Sequence, residues 1–382
     1  MTGPGPAGPP PAPGPVRKWW LGARPRTLPA ALVPVVVATA AAHPLHHVAV
    51  VVLTFLGVNP NVAIAAGRGF TVVAAPPGGA AYGSKVILHL HQAGPAGFWW
   101  RALGALVVAL AIQIGTNFAN DYSDGIRGTD DARVGPVRLT ATGLASPSAV
   151  RRAALIAFGV AGVAGLALAW ATSWWILPAG AACLLAGWLY TGGPRPYGYA
   201  GLGEVFVFVF FGLVATVGTY YVETLHLGRW QVWVAAVMVG LLAAALLLAN
   251  NLRDIATDTE SGKRTLAVRV GRRPAGWCYT ACVSLPFVGI VVWGLLAVTC
   301  TIRTAWPVLL FLPLLAAPLA VAPARLALGD AEGRALLPVL AATGRLQLAF
   351  GASLALALWL TLPPLVSVPA LPAGLVGSGL VG

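Results

Sequence analysis

Nine apolar stretches, near residues 28–42, 98–119, 149–172, 174–191, 203–222, 231–251, 275–298, 305–322 and 345–363, divide this chain into oily segments joined by short polar connections. A helix needs about 20 apolar residues to cross the hydrocarbon core of a bilayer. Backbone groups in lipid have no water to bond to, so stretches of this kind fold as helices. The chain is therefore expected to be an all-α integral membrane protein with about nine transmembrane helices. Composition agrees: 58% of the 382 residues are hydrophobic and 9% are charged, whereas a soluble domain carries about 25% charged residues. The first stretch is short unless it continues into residues 48–56, and Pro29 and Pro34 are expected to kink it.

The flanks read differently. Residues 1–18 are rich in Gly, Pro and Ala and are expected to form a disordered tail, as is the C-terminal segment 364–382; the transmembrane domain occupies 19–363. Within it, 43–97 reads as an irregular external insertion, and its His43, His46, His47, His89 and His91 as scattered loop histidines rather than a metal site. Cys183, Cys278, Cys282 and Cys300 show no zinc-type spacing. With the N-terminus inside, the cytoplasmic segments hold 19 Lys and Arg and the opposite side 5, the asymmetry that orients membrane proteins. The net charge of +13 thus reflects topology and the anionic headgroups of the lipid bilayer, with no nucleic acid implied.

Against this apolar background, seven of the eleven acidic residues fall in two short clusters at the ends of apolar stretches, 117–131 and 250–264. Carboxylates at a membrane boundary are costly unless something holds them. Asn117, Asp121 and Asp124 are spaced i, i+4 and i+7, and Asn250, Asp254 and Asp258 i, i+4 and i+8, so each set is expected to share a helix face. Carboxylates and amides from two helices suit a hard cation, most simply Mg²⁺, which keeps several waters and binds through a few carboxylates and substrate phosphate. Arg127, Arg138, Arg253, Lys263 and Arg264 lie beside them and fit a diphosphate leaving group. The surrounding solvent makes a lipid diphosphate the natural substrate. An allylic cation formed from it needs a dry chamber, and Phe118, Tyr122, Tyr190 and Tyr197 could face such a cation. Glu204, just inside the fifth stretch, is a buried ionisable group and hence a candidate catalytic residue.

The blocks Asn120-Asp121-x2-Asp124 and Asp254-x3-Asp258-x3-Gly262 resemble the two aspartate-rich motifs of the UbiA-type intramembrane prenyltransferases. The resemblance spans about residues 19–363 apart from the insertion. It implies a UbiA-type helical bundle around a central cavity, in a bacterial cell membrane, with the site facing the cytoplasm. Gly22 to Pro29, Asn117 to Asp130, Gly135 to Leu139, Tyr190 to Glu204 and Asn250 to Leu266 are similar to the naphthoate-prenylating branch of that family. This implies transfer of a polyprenyl group from polyprenyl diphosphate to 1,4-dihydroxy-2-naphthoate with loss of carbon dioxide, as in menaquinone biosynthesis. Mg²⁺ would be held by Asp121, Asp124, Asp254 and Asp258, with Asn117, Asn250 and Asp130 in support, and Arg138, Lys263 and Arg127 would take the phosphate oxygens. Where the broad family often carries a third Asp in its first motif this chain has Gly128, and Arg195 stands alone in place of a Lys-Arg pair.

Rival readings are weaker. A CDP-alcohol phosphatidyltransferase needs Asp-x2-Asp-Gly-x2-Ala-Arg, and here Asp124-Gly125 is followed by Ile126-Arg127-Gly128-Thr129. A transporter keeps its charges near the midplane, whereas these lie at helix ends. Another aromatic or sugar-phosphate acceptor remains an alternative within the family.

Overall fold

The computed structural model describes residues 13–43, 70–73, 85–88, 95–129, 137–299 and 306–362. The chain opens with α1 (Pro15–Gly22), a 3₁₀ turn (Pro25–Thr27) and α2 (Pro29–Ala42). Two short strands follow, β1 (Phe70–Val73) and β2 (Lys85–Leu88), paired antiparallel with Phe70 opposite Leu88. Then come α3 (Pro95–Ile126), α4 (Pro147–Ala171), α5 (Ile176–Leu189) and α6, which runs from Gly203 to Thr224. They are followed by α7 (Trp230–Arg253), α8 (Ile255–Glu260), α9 (Leu266–Val270) and α10 (Arg272–Val298). A 3₁₀ segment (Pro307–Ala316) leads into α11 (Pro318–Leu328), and α12 (Leu337–Thr361) ends the bundle.

The apolar stretches are helical wherever they are described, but they do not all span in the same way. Six helices (α3, α4, α6, α7, α10 and α12) are long and apolar enough to cross a bilayer alone. Two bent pairs bring the number to eight: Pro15–Thr27 with Pro29–Ala42, at 58°, and Pro307–Ala316 with Pro318–Leu328, at 43°. α5, at the place of the fourth expected span, has 14 residues. Proline accounts for the second bend. Pro307, Pro313, Pro318 and Pro323 each remove an N–H donor and crowd the preceding turn. Two boundaries also move. α1 takes in Arg17 and Lys18, so helix begins before the expected tail ends, and the first span gains length from this side; residues 48–56 lie outside the described residues. The insertion is not wholly irregular, since it carries the β1–β2 hairpin, and the helix after it starts at Pro95. His46, His47, His89, His91, Cys300 and both terminal tails lie outside the described residues.

α7 is the centre of the bundle, buried along most of its length, and packs against α10, α12 and α6. Small residues let the backbones close in: a Cβ built on Gly212 would stand 2.5 Å from the Gly240 Cα. Gly212→Ala is therefore expected to overpack the α6–α7 crossing, at a cost of about 1–3 kcal/mol, seen as a lower Tm of the detergent-purified protein. α6 contains a π-helical turn at Phe208–Val214 beside this crossing, of the kind that recurs at functional sites.

The two ends of the bundle differ. Exposed Trp99, Trp170, Trp174, Trp175, Trp230 and Trp306 lie at or beside the helix termini of one end, and exposed Trp20 and Trp277 toward the other, as side chains that favour the two membrane interfaces do. The acidic clusters sit at this second end. There Arg272 donates to the carbonyls of Leu326, Ala327, Gly329 and Ala331, capping the C-terminus of α11.

Candidate active site

A cavity of about 880 Å³ lies among α3, α4, α5, α6 and α7. On α3 its lining runs from Ala105 to Asp124, about 28 Å at 1.5 Å per residue, close to the thickness of a hydrocarbon core. The far part is apolar, lined by Val108, Ile112, Gly165, Leu168, Gly180 and Gly218 among others. The mouth is polar and charged: Asn120, Asp124, Arg138, Asn250, Asn251, Arg253, Asp258 and Lys263 all line it.

Asp124 is the hub of this mouth. It is 2% exposed. It accepts a hydrogen bond from the Tyr199 hydroxyl at 2.6 Å, and its Oδ2 lies 3.2 Å from Lys263 Nζ and 3.9 Å from Arg138 Nη2. Burial, and after it the Asp124 carboxylate, push the Tyr199 phenol above its ordinary pKa, so it stays protonated as a donor. Lys263 Nζ also sits 4.9 Å from the centre of the Tyr199 ring, within the range of a cation–π contact. Asp258 lines the same cavity from α8, which follows a break at Asp254 (φ −97°, ψ 8°); the return after α8, in which the Lys263 amide donates to the Asp258 carbonyl, brings Lys263 back beside it. Asn120 adds an amide oxygen, which accepts from Thr191 Oγ1 at 2.8 Å.

Several expected site residues have other partners. Asp121 is fully buried and does not line the cavity; its two oxygens accept the backbone N–H groups of Leu139 (2.7 Å) and Thr140 (2.9 Å). Helix geometry explains this. Around α3, Asp121 lies about 40° to one side of Asn117 and Asn120 about 60° to the other, and the cavity is on the Asn120 side. Asn117 lines the cavity, but its Nδ2 donates to the Ala23 carbonyl and Thr27 Oγ1, pinning the 3₁₀ turn before α2. Asp254 forms a two-point pair with its neighbour Arg253, at 2.7 Å in both contacts. It thereby holds the guanidinium at the mouth, where Arg253 Nη1 is buried without a protein partner. Arg127 is bonded to the carbonyls of Thr191 and Gly193 and so fixes the loop after α5. Arg264 is exposed and contributes backbone contacts to Tyr199 and Arg269. Tyr122 packs into the apolar cluster of Phe118 and Leu139. Asp130 lies outside the described residues.

Tyr190 and Tyr197 do line the cavity, and Tyr197 stacks on Phe206 with ring centroids 4.0 Å apart. Glu204 is buried and accepts from Asn251 Nδ2 at 2.8 Å; its partner is an amide, not an arginine, and it is Asn251 that lines the cavity. Asn120, Asn251 and Tyr199 were not singled out from the sequence as site residues, although all three stand inside blocks that were.

The oxygens of Asp124 and Asp258, with those of Asn120 and Asn250, form a hard donor set. Among the described residues no three His, Cys, Asp or Glu side chains converge into a metal cage. An ion that takes only one or two carboxylates and completes its shell with water and phosphate fits this set, and that is the habit of Mg²⁺.

A helical membrane protein with a carboxylate-and-cation mouth over a bilayer-deep apolar chamber is built to act on a lipid with an anionic head. The chain belongs to the UbiA prenyltransferase family, whose sequence profile matches residues 81–337. It is 41% identical over 341 residues to the 1,4-dihydroxy-2-naphthoate octaprenyltransferase of Mycobacterium tuberculosis, covering 89% of this chain and 96% of that relative. It is 42% identical over 343 residues to the protein of the same name from Mycobacterium leprae, covering 90% and 96%. A UbiA homolog from Archaeoglobus fulgidus, solved bound to DMAPP and Mg²⁺, shares the fold with a TM-score of 0.50 at 14% identity, covering 90% of this chain and 99% of that one.

Proposed function

We propose that this protein transfers a polyprenyl group from polyprenyl diphosphate to 1,4-dihydroxy-2-naphthoate, with decarboxylation, to give a demethylmenaquinol for menaquinone biosynthesis. The observation that carries this reading is the continuity of one cavity, about 28 Å long, from the Asp124–Lys263–Arg138 mouth into an apolar chamber, in a chain that matches two naphthoate prenyltransferases over nearly their whole length.

The diphosphate head lies at the mouth and the prenyl chain in the chamber. Asp124 and Asp258, with Asn120 and Asn250, would hold Mg²⁺, which supplies positive charge to the phosphate oxygens. Lys263, Arg138 and the unpaired Nη1 of Arg253 take the same oxygens. The allylic C–O bond breaks, and its electron pair leaves with the diphosphate, whose growing charge these cations stabilise. Tyr190, Tyr197 and Phe206 present π-faces to the allylic cation, and the apolar chamber keeps water from it. The naphthoate ring carbon that bears the carboxylate attacks. As the new C–C bond forms, the carboxylate leaves as carbon dioxide and its bonding pair stays in the ring. The excess of Lys and Arg around the mouth supports a site that opens on the cytoplasmic face of the cell membrane.

Membranes containing the protein, given labelled polyprenyl diphosphate, Mg²⁺ and dihydroxynaphthoate, are expected to yield a lipid-soluble prenylated naphthoquinol. Its mass reports acceptor and chain length together. Product with a different aromatic acceptor but none with naphthoate would reassign the acceptor, and no product with any acceptor would overturn the reading.

A further inference from the structure

The transfer chemistry leaves one buried acid of the first cluster without a part. We propose that Asp121 is a positioning residue for Arg138: it holds the turn that carries this guanidinium over the diphosphate end of the cavity, and it does not hold the metal. The proposal rests on the reading of the mouth as a diphosphate site.

Several features of the structure fix this turn. The Asp121 carboxylate spends one oxygen on the Leu139 amide and the other on the Thr140 amide, at 2.7 and 2.9 Å. These are the two residues immediately after Arg138, so the clamp sets the direction in which the chain presents it. Arg138 Nη2 then lies 3.9 Å from Asp124 Oδ2. One helical turn beyond Asp121, α3 passes so close to the same segment that a Cβ on Gly125 would come within 2.4 Å of Thr140 Cγ2. The Leu139 side chain is fully buried against Phe118 and Ala23, and Lys18 Nζ donates to the Leu144 carbonyl at 2.9 Å. A buried carboxylate whose oxygens both accept backbone amides is satisfied without a metal, and breaking both bonds to bind one would release the turn.

The test uses the purified full-length protein in lipid nanodiscs, with pyrophosphate and Mn²⁺ as probes. Asp121→Asn is the mild variant, because its amide oxygen still accepts one N–H. Gly125→Ala is the second lever, since it displaces the same turn by pushing on Thr140 and changes no charge. Both are expected to weaken pyrophosphate binding about tenfold, as Arg138→Ala does, the loss of one charge-assisted contact. Both are expected to raise the KM for prenyl diphosphate and to lower kcat in the same direction as Arg138→Ala, because Arg138 meets the diphosphate both when it binds and as its charge grows. At pyrophosphate concentrations that saturate each variant, bound Mn²⁺ measured by paramagnetic resonance stays within twofold of the unaltered protein for these variants and falls sharply for Asp124→Asn. Asp121→Asn combined with Arg138→Ala binds pyrophosphate no more weakly than Arg138→Ala alone, the non-additivity expected when one residue acts through another. Loss of Mn²⁺ from Asp121→Asn to the extent seen in Asp124→Asn, or multiplication of the two losses in the double variant, overturns the positioning role. If the unaltered protein binds no pyrophosphate at all, the diphosphate reading itself fails and the proposal falls with it.

Discussion

Asp124→Asn is expected to lower the rate of prenyl transfer by about 10³-fold or more while leaving the protein folded. Asp124 is where the polar mouth converges. Tyr199 donates to it, and Lys263 and Arg138 face it. The amide keeps the shape and one acceptor but removes the negative charge. Two consequences follow, and they add. One of the two carboxylates that line the cavity is lost, so the negative charge available to a divalent cation there is halved. Lys263 and Arg138 also lose the counter-charge that preorganises them before substrate arrives; with the diphosphate in place, the same two groups turn to phosphate oxygens. Removing a single preorganised donor at a developing charge costs about 10²–10³ in turnover, and Asp124 acts on the metal and on both cations at once. The fold is spared because these partners face the cavity, not the apolar core around α7. The measurement is single-turnover transfer with labelled donor over a Mg²⁺ titration, alongside the thermal transition. A variant that turns over within tenfold of the unaltered protein refutes the assignment of Asp124.

How much of this was legible in the sequence varies by element. Apolar run length places every described membrane segment, because lipid enforces helix on any chain that crosses it. The same reasoning does not fix which segments bend. Pro307 to Pro323 turn one expected span into a 43° pair, and α5 has 14 residues where a full span was expected. At the site, periodicity identified α3 as the bearer of the first cluster but put Asp121 on one face with Asn117 and Asp124 and left Asn120 off it. Only tertiary structure says that the turn at Leu139 approaches one edge of that face and the cavity the other. In the second cluster, extending the helical spacing through Asp254 assumed a continuous helix. The break there sends Asp258 to the mouth by another route and leaves Asp254 beside Arg253. Tyr199 and Asn251 were out of reach for a different reason. Each acts through a partner far away in the chain, Asp124 for one and Glu204 for the other, and local spacing carries no trace of such pairs.

Bulk placed in the chamber is expected to shorten the product, with an effect that depends on depth. Gly180 on α5 and Gly218 on α6 line the cavity, and a Cβ at either would meet no atom within 4 Å. Counted along their helices from the mouth-side ends, Gly180 lies about 14 Å deep and Gly218 about 22 Å at 1.5 Å per residue. A leucine at either position projects into space that the prenyl chain occupies and leaves the polar mouth untouched. The energetics here are steric, not hydrophobic. The donor's tail arrives from lipid, which is as apolar as the chamber, so little is gained or lost by burial and discrimination comes from overlap. Overpacking of this kind costs about 1–3 kcal/mol, or roughly 5- to 150-fold in binding. Gly180→Leu should therefore depress kcat/KM for long polyprenyl diphosphates by up to about 100-fold, and Gly218→Leu should affect only the longest. Donors of one or two isoprene units end short of both glycines and should be used by either variant at nearly the unaltered rate. Product mass from a mixture of donor lengths reads the cut-off directly. A loss that falls equally on short and long donors would mean that the glycines serve helix packing, and that the chain lies elsewhere.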